Sequence, residues 1–446
     1  MFEQNFPKME SAKVTNISEG TKTGNILYLM RRDKRIFNNF CVEYCYEFSK
    51  NRKFHIGIQL NELKMNKNKN NFIIETLMEV ERDCNRYNIF FDIIDDLNLF
   101  ISDNKISDVI IDFCPLESCK EYKNKVLDIA NELNVALSII ESHSIVPSNQ
   151  IKTISKSSRG IGCKLSNFFN FYFEENKKLV KHPFNKNVKN NNNLQKYFCK
   201  SKRKNIIINE LKGGHSEALE HLEKFLNEEF IFFDKNKTNV NFTFCRDLNM
   251  YISNGVIYSG EVINIITEKF SLDNVNTQKI IKDIFTWKET AEHYCVFNEK
   301  SDHFDSLPLW AQETLITHKF DEGKTIFTPK EIEMGLTNDN EFNAAQKELV
   351  LTGRMNEYSR IYWAKRFYYF IDSPEKALET MFNIYNRHAI DSNTPFSILN
   401  LMYSAGGVMD RGFKEVNVLG KIRALSSYHC NIYVEKWNNY ELEEEY

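Results

Sequence analysis

The sequence is poor in features that would place it quickly. Its 446 residues include only 8 prolines and 16 glycines beside abundant Asn, Lys, Ile and Phe. That bias has the character of an AT-rich coding sequence and carries no functional weight. The formal net charge is -3, so the overall balance does not announce a nucleic-acid binder. A DNA enzyme built on it has to gather its positive charge into one patch. Ten cysteines are present, none of them in paired C-x-x-C spacing, which argues against a zinc site. Met1–Lys8 lacks signal-peptide character and no apolar stretch is long enough to span a membrane. An intracellular protein with reduced thiols is therefore expected, cytoplasmic or nuclear. No G-x-G-x-x-G follows the first apolar run, which argues against a standard dinucleotide site there.

What is present is an organised chain. At this length two or three domains are expected. Apolar runs at Ile26–Met30, His55–Leu60, Asn88–Ile94, Asp108–Asp112 and Val135–Ile140 read as strands. Helical stretches at Phe37–Ser49 and Phe72–Tyr87 alternate with them, so a parallel sheet covered on both faces is expected. Between Lys177 and Lys204 lie ten Lys or Arg and no acid, interleaved with the run Asn190–Asn193. This stretch reads as a solvated linker, with a DNA-facing basic strip as the other possibility. From about Ser216 a helical period dominates: Ala218, Leu219, Leu222 and Phe225 share one face, as do Trp363, Phe367 and Phe370. The expected organisation is an α/β domain over 1–150, a connector over 151–211, and an all-helical domain over 212–446 ending in the acidic tail Glu441–Tyr446.

The helical half carries a series of phrases in order. They are Trp287-Lys-Glu-Thr-Ala-Glu-His-Tyr294, Leu309-Trp-Ala-Gln-Glu-Thr-Leu-Ile-Thr-His318, Asn343-Ala-Ala-Gln-Lys-Glu-Leu-Val350 with Thr352-Gly-Arg-Met355, and Arg360-Ile-Tyr-Trp-Ala-Lys365. Gly406-Gly407-Val408 with Asp410-Arg411, then Gly420-Lys421-Ile422-Arg423, complete it. The first half adds Met30-Arg-Arg-Asp-Lys-Arg35 with Asn38-Asn39, Ile111-Asp-Phe-Cys-Pro-Leu116, and His143 through Pro147. Together these resemble the class II cyclobutane pyrimidine dimer photolyases over nearly the whole chain. The resemblance implies the photolyase fold, FAD bound by the helical domain, and light-driven electron transfer to a flipped pyrimidine dimer in DNA. It implies damaged DNA as partner, with no membrane association, and a monomer is expected. It leaves an antenna chromophore unassigned.

Residue by residue, the resemblance puts Arg360 and Asp391 beside the flavin ring, where a guanidinium favours the anionic reduced form. Trp287 and Tyr403 fall where the family clamps the flipped dimer between two tryptophans, and Asp283 where a Glu hydrogen-bonds it. Arg411 is carried over as a DNA contact. The departures are as informative. The family's FAD-diphosphate turn corresponds to Asp247-Leu-Asn-Met-Tyr-Ile-Ser-Asn-Gly255, which keeps Leu248, Tyr251 and Gly255 but has Asn249 for Ser and Met250 for Pro. Glu261 replaces an Arg that grips the lesion's phosphate, and Tyr385 replaces an Asn facing the flavin's reactive nitrogen. Of the family's tryptophan relay only Trp363 survives, its partners corresponding to Phe342 and Phe370. The reading is therefore dimer repair by FAD-mediated electron transfer. The alternative is a photolyase-fold scaffold without catalysis that binds DNA or protein; a cryptochrome-like sensor is disfavoured by the broken relay.

Overall fold

The computed structural model describes residues 12–49, 51–63, 65–153, 157–173, 178–199, 211–236, 239–241, 244–425, 427 and 430–442. Its first part is a six-stranded sheet: β1 (Val14–Ser18), β2 (Asn25–Leu29), β3 (Phe54–Gln59), β4 (Phe90–Ile94), β5 (Ile106–Asp112) and β6 (Ala136–Ile140). The order is β1-β6-β5-β2-β3-β4. β2 through β6 pair parallel, and β1 runs antiparallel to β6. The alternation that predicts the parallel strands is visible in the packing. Ile26, Tyr28, Phe54, Ile56 and Ile110 face one core, whereas Leu27, Leu29, Val109 and Ile111 face the other, as period-2 side chains must. The expected parallel sheet is joined by one antiparallel edge strand, β1. Its sequence Val-Thr-Asn-Ile-Ser is too polar to stand out as an apolar run.

The helices fall where the periodicity puts them, with bounds moved by a few residues. Phe40–Ser49 and Lys67–Arg86 cover the sheet, the second capped by Asn66, whose side chain accepts from Lys69 N. Beyond β6 the described residues form helices and turns, with only an isolated Val416–Gly420 bridge. No helix among them is long and apolar enough to cross a membrane. One sheet face shares a continuous core with Leu222, Phe225, Leu248 and Val262 of the helical part.

The Asn-rich stretch is more than a solvated linker. Asn190 accepts from Phe91 N at 3.0 Å and donates to Ile89 O at 2.9 Å, and Asn192 donates to Phe91 O at 2.8 Å. Asn185 does the same for Phe54, accepting from its N–H at 3.1 Å and donating to its carbonyl at 2.9 Å. Side-chain amides of Asn190 and Asn192 thus complete the outer edge of β4, and Asn185 caps the start of β3, where bare backbone groups would invite pairing with another chain. The lysines described in this stretch, Lys178, Lys181, Lys186, Lys189 and Lys196, are exposed. Lys177 and Lys200 through Lys204 lie outside the described residues, as do the last four residues of the acidic tail.

Strand order reverses beside β2, with β3 on one side and β5 on the other, so the loops after β2 and β5 meet in the crevice at their C-terminal ends. Asp112 closes β5 and its Oδ2 accepts from the backbone N–H groups of Arg31, Arg32 and Asp33 at 2.8–3.1 Å and from the Tyr28 hydroxyl at 3.0 Å. This holds Asp33 in a buried charge cluster. Its Oδ1 meets Arg35 at 2.7 Å and His143 Nδ1 at 2.9 Å. Arg32 pairs with Glu292, and Lys288 with Glu289 at 3.1 Å. Glu289 in turn accepts from the N–H groups of Ile145 and Val146. Arg35 also donates to Gly255 O at 2.9 Å. Gly255 has φ +68°, and an added Cβ would stand 2.3 Å from Arg32 O, so both its conformation and its space require glycine.

Two outcomes are expected. Asn190→Ala strips two hydrogen bonds from the β4 edge and should lower stability by about 1–3 kcal/mol in urea unfolding, whereas the exposed neighbour Asn191→Ala should leave the midpoint unchanged; equal effects would refute the edge role. The second concerns acid. Burial, with Arg32 and Lys288 nearby, pushes His143 down to about 3, so the unfolded chain takes up a proton on this ring below about pH 6.5 and the native state does not. Stability is then full above pH 6.5 and falls as pH drops toward 3, by up to about 1.4 kcal/mol per pH unit from this group. His143→Asn should flatten the slope between pH 6.5 and 4.

Candidate functional site

Two helices and the turn after them bring together Arg360, Tyr385 and Asp391, which the resemblance assigns to the flavin. Glu357–Phe370 begins at Asn356, whose side chain accepts from Tyr358 N, and carries Arg360 and Trp363 on its buried face. Pro374–His388 begins at Ser373 with proline in its first turn, where a missing N–H costs nothing, and carries Tyr385 near its end. Asp391 follows in the turn to Pro395–Gly406, which opens with a Thr394/Ser397 capping box. The Tyr385 hydroxyl donates to Asp391 Oδ1 at 2.8 Å. All three side chains are buried, yet Arg360 Nε and Asp391 Oδ2 have no hydrogen-bond partner. Burial raises the Asp391 carboxyl above the usual range, with Arg360 pulling the other way. Burial and the adjacent Asp391 push the Tyr385 phenol up. Burial works against the Arg360 guanidinium too, but Tyr385, Glu357 and Asp391 more than offset it.

Trp363 is fully buried, its Nε1 donating to Gln346 Oε1 at 2.9 Å, and its ring lies 6.1 Å from that of Tyr385. Phe342 stacks parallel to it at 6.2 Å and meets Phe370 at 5.0 Å. The three relay positions therefore form one aromatic line, although two hold phenylalanine.

Trp287 and Tyr403 are half-buried and meet edge to face, centroids 5.4 Å apart at 80°. The Trp287 indole donates to Asn400 Oδ1 at 2.7 Å, while Asn400 Nδ2 is buried and unpartnered. Asn400 escapes a reading based on phrases. Its one signal is its position three residues before Tyr403, on the same helix face. Asp283 and Trp287 share a π-helical turn, Lys282–Trp287, a wide turn that re-aims the side chains at its end. Asp283 is half-buried there.

The stretch carried over as a diphosphate turn is helical through Ser253. Leu248 and Tyr251 point into the core, with Tyr251 donating to Lys212 O at 2.8 Å, and Asn249 is half-buried. Asp247, an unwelcome charge beside a diphosphate, is neutralised by Arg354 at 3.2 Å, a partner not legible in the sequence. The expectation that Glu261 opposes a lesion phosphate is corrected. Glu261 is buried and ion-paired with His215 at 3.0 Å, its acidity strengthened, against burial, by that histidine. Arg411 is exposed beside Phe413, 5.5 Å from its ring, and Arg423 is held by Asp410 at 2.9 Å.

No protein-family profile matches the chain. Among curated proteins it is similar to the deoxyribodipyrimidine photo-lyase of Potorous tridactylus, 25% identical over 417 residues that cover 91% of this chain and 78% of the relative. The deoxyribodipyrimidine photo-lyase of Arabidopsis thaliana is 23% identical over 434 residues, covering 91% and 86%. Among solved structures it superimposes on a bacterial class III photolyase from Agrobacterium tumefaciens with a TM-score of 0.68 at 13% identity, covering 91% of this chain and 84% of that one. An archaeal photolyase from Sulfolobus tokodaii with two FAD molecules gives 0.61 at 14%, covering 88% and 85%. The fold is the photolyase fold, and the sequence matches support that family. Because Tyr385 and Asp391 are buried together, Tyr385→Phe should cost about 1–3 kcal/mol in urea unfolding by leaving the carboxyl short of a donor; an unchanged midpoint would mean that Asp391 is satisfied without the phenol.

Proposed function

We propose that the chain is a class II photolyase that repairs cyclobutane pyrimidine dimers in DNA under light, with FAD as its cofactor. The observation that carries this reading is the buried cluster of Arg360, Tyr385 and Asp391. Two of its polar atoms, Arg360 Nε and Asp391 Oδ2, are left without a protein partner, and each such group costs about 1–3 kcal/mol unless something else meets it. The donor set fits a flavin: a guanidinium that offsets the negative charge of a reduced ring, and a carboxyl able to meet the ring's polar edge. When bound, reduced FAD supplies a light-excitable one-electron donor.

The chain's own residues do the rest. Arg360 keeps a fixed positive charge in a site closed to water, where it acts more strongly than it would in solvent. Tyr385 orients Asp391 through the 2.8 Å hydrogen bond. Trp287 and Tyr403 offer aromatic faces to unstacked bases, at about 1–3 kcal/mol per stacked base. Phe342 and Phe370 resist oxidation, so the aromatic line through Trp363 is a poor path for an electron from the surface. The alternative of a photolyase-fold scaffold without catalysis is favoured by one observation, the direct contact of Trp287 with Tyr403. A flipped base needs those rings to separate.

The purified protein should bind dithionite-reduced FAD and repair a dimer-containing oligonucleotide in near-ultraviolet or blue light but not in the dark. It should fail when the cofactor is supplied oxidised and only light is given. Phe342→Trp with Phe370→Trp should restore photoreduction. Absence of repair with reduced FAD demonstrably bound would defeat the enzyme reading, and absence of FAD binding would favour the scaffold.

A further inference from the structure

Outside the flavin-side residues, the crevice at the ends of β2 and β5 holds a pair of thiols that the repair reading does not use. Cys114 lies two residues beyond β5, and Cys119 lies in the first turn of the helix Glu117–Leu133. Both are half-buried and both line one cavity of about 470 Å³. The two thiols lie five residues apart on the same wall of this cavity, and each shifts the acidity of the other. The charged groups on the cavity wall are Arg31, Arg32, Lys34 and Lys69 against Glu62. Glu62 is taken by Arg31 Nε at 3.0 Å, while a second nitrogen of Arg31, Nη1, is buried and unpartnered. Burial pulls both ammonium groups down, Lys69 to about 7, and the wall's four basic side chains stand against Glu62 and the Glu292 that Arg32 holds.

We propose that Cys119 is a reactive thiol, with Cys114 as its resolving partner, and that the pair closes reversibly to a disulfide on exposure to an anionic low-molecular-mass disulfide such as oxidised glutathione. The geometry sets the roles. Cys119 has the amino end of a 17-residue helix behind it, whose dipole favours a thiolate. The neighbouring Cys114 thiol, with Arg31 and Arg32 adding to it, holds Cys119 below the usual thiol range despite burial. The neighbouring Cys119 and burial hold Cys114 above that range, so it waits as the protonated member. In the first step the Cys119 thiolate attacks one glutathione sulfur, a mixed disulfide forms, and a glutathione thiolate leaves and takes up a proton. In the second, Cys114 gives its proton to solvent and attacks Cys119 Sγ, releasing the second glutathione. Two protein thiols are oxidised and one disulfide is reduced to two thiols, so electrons and atoms balance. The cavity's positive wall favours a carboxylate-bearing disulfide over a cationic one.

The test uses the full-length protein at pH 7 with oxidised glutathione or cystamine, followed over time by peptide mass mapping. Cys163, exposed and outside the cavity, is the comparison within the same molecule. Cys119 should react about fivefold or more faster than Cys163, its larger thiolate fraction being partly offset by lower intrinsic nucleophilicity. Glutathione should outpace cystamine at Cys119 but not at Cys163. The wild-type protein should end with a Cys114–Cys119 disulfide and no retained glutathione at either residue. Cys114→Ser should accumulate glutathione on Cys119, and Cys119→Ser should leave Cys114 unmodified. A Cys119 no faster than Cys163, or a wild-type protein that keeps the mixed disulfide, would overturn the proposal. Both readouts come from the unsubstituted protein and do not depend on the variants folding.

Discussion

Asp33 has no solvent exposure and stands between Arg35 and His143. A carboxylate in that position is tolerable only while its partners stay in place, because removing one member of a buried pair leaves a naked charge at about 3–5 kcal/mol. The constraint spreads outward. Arg35 reaches Gly255, His143 offers its carbonyl to Lys288, and Arg32 holds Glu292. Four segments far apart in the chain are thus conditional on one another, and the sheet and the helical part dock as a consequence. Arg360 and Tyr385 stand on helices of that helical part, and Asp391 in the turn after them.

This explains what was legible in the sequence and what was not. The parallel strands announce themselves because β2, β3 and β5 are buried on both faces and β4 and β6 still carry mostly apolar residues. β1 does not, because its side chains at Thr15, Asn16 and Ser18 are polar. The phrases Met30–Arg35, His143–Pro147 and Trp287–Tyr294 resemble photolyases as strings of charged and polar residues, but nothing in a string tells which charges meet. The structure brings Arg32, Asp33, Arg35, His143, Lys288, Glu289 and Glu292 of these strings into one interface cluster, whereas Trp287 meets Tyr403 and Asn400 instead. Glu261 is the sharpest case. Its sign stood out against the resemblance, yet its partner His215 lies on a different helix, and such long-range pairing leaves no local pattern.

The sequence named the members of the candidate site but not their arrangement. Tyr385 and Asp391 are hydrogen-bonded, the Trp363 ring lies near that of Tyr385, and Phe342 and Phe370 extend the line of rings from Trp363. The hydrogen bond from the Tyr385 phenol to Asp391, and the role of Asn400 beneath the Trp287 indole, required coordinates. In both cases a substituted or unremarked polar residue has taken a specific partner, so the departures from the family pattern are accommodated inside the fold.

The amide seal on β4 has a further consequence for how the chain is made. β4 leaves the ribosome near residue 90, and the asparagines that cover its edge follow about a hundred residues later. At roughly 5–20 residues per second, the nascent sheet stands for about 5 to 20 seconds with an unsealed margin. During that interval the growing chain carries its greatest exposure to mispairing with a neighbour on the same messenger, and chaperones acting there have a defined surface to shield.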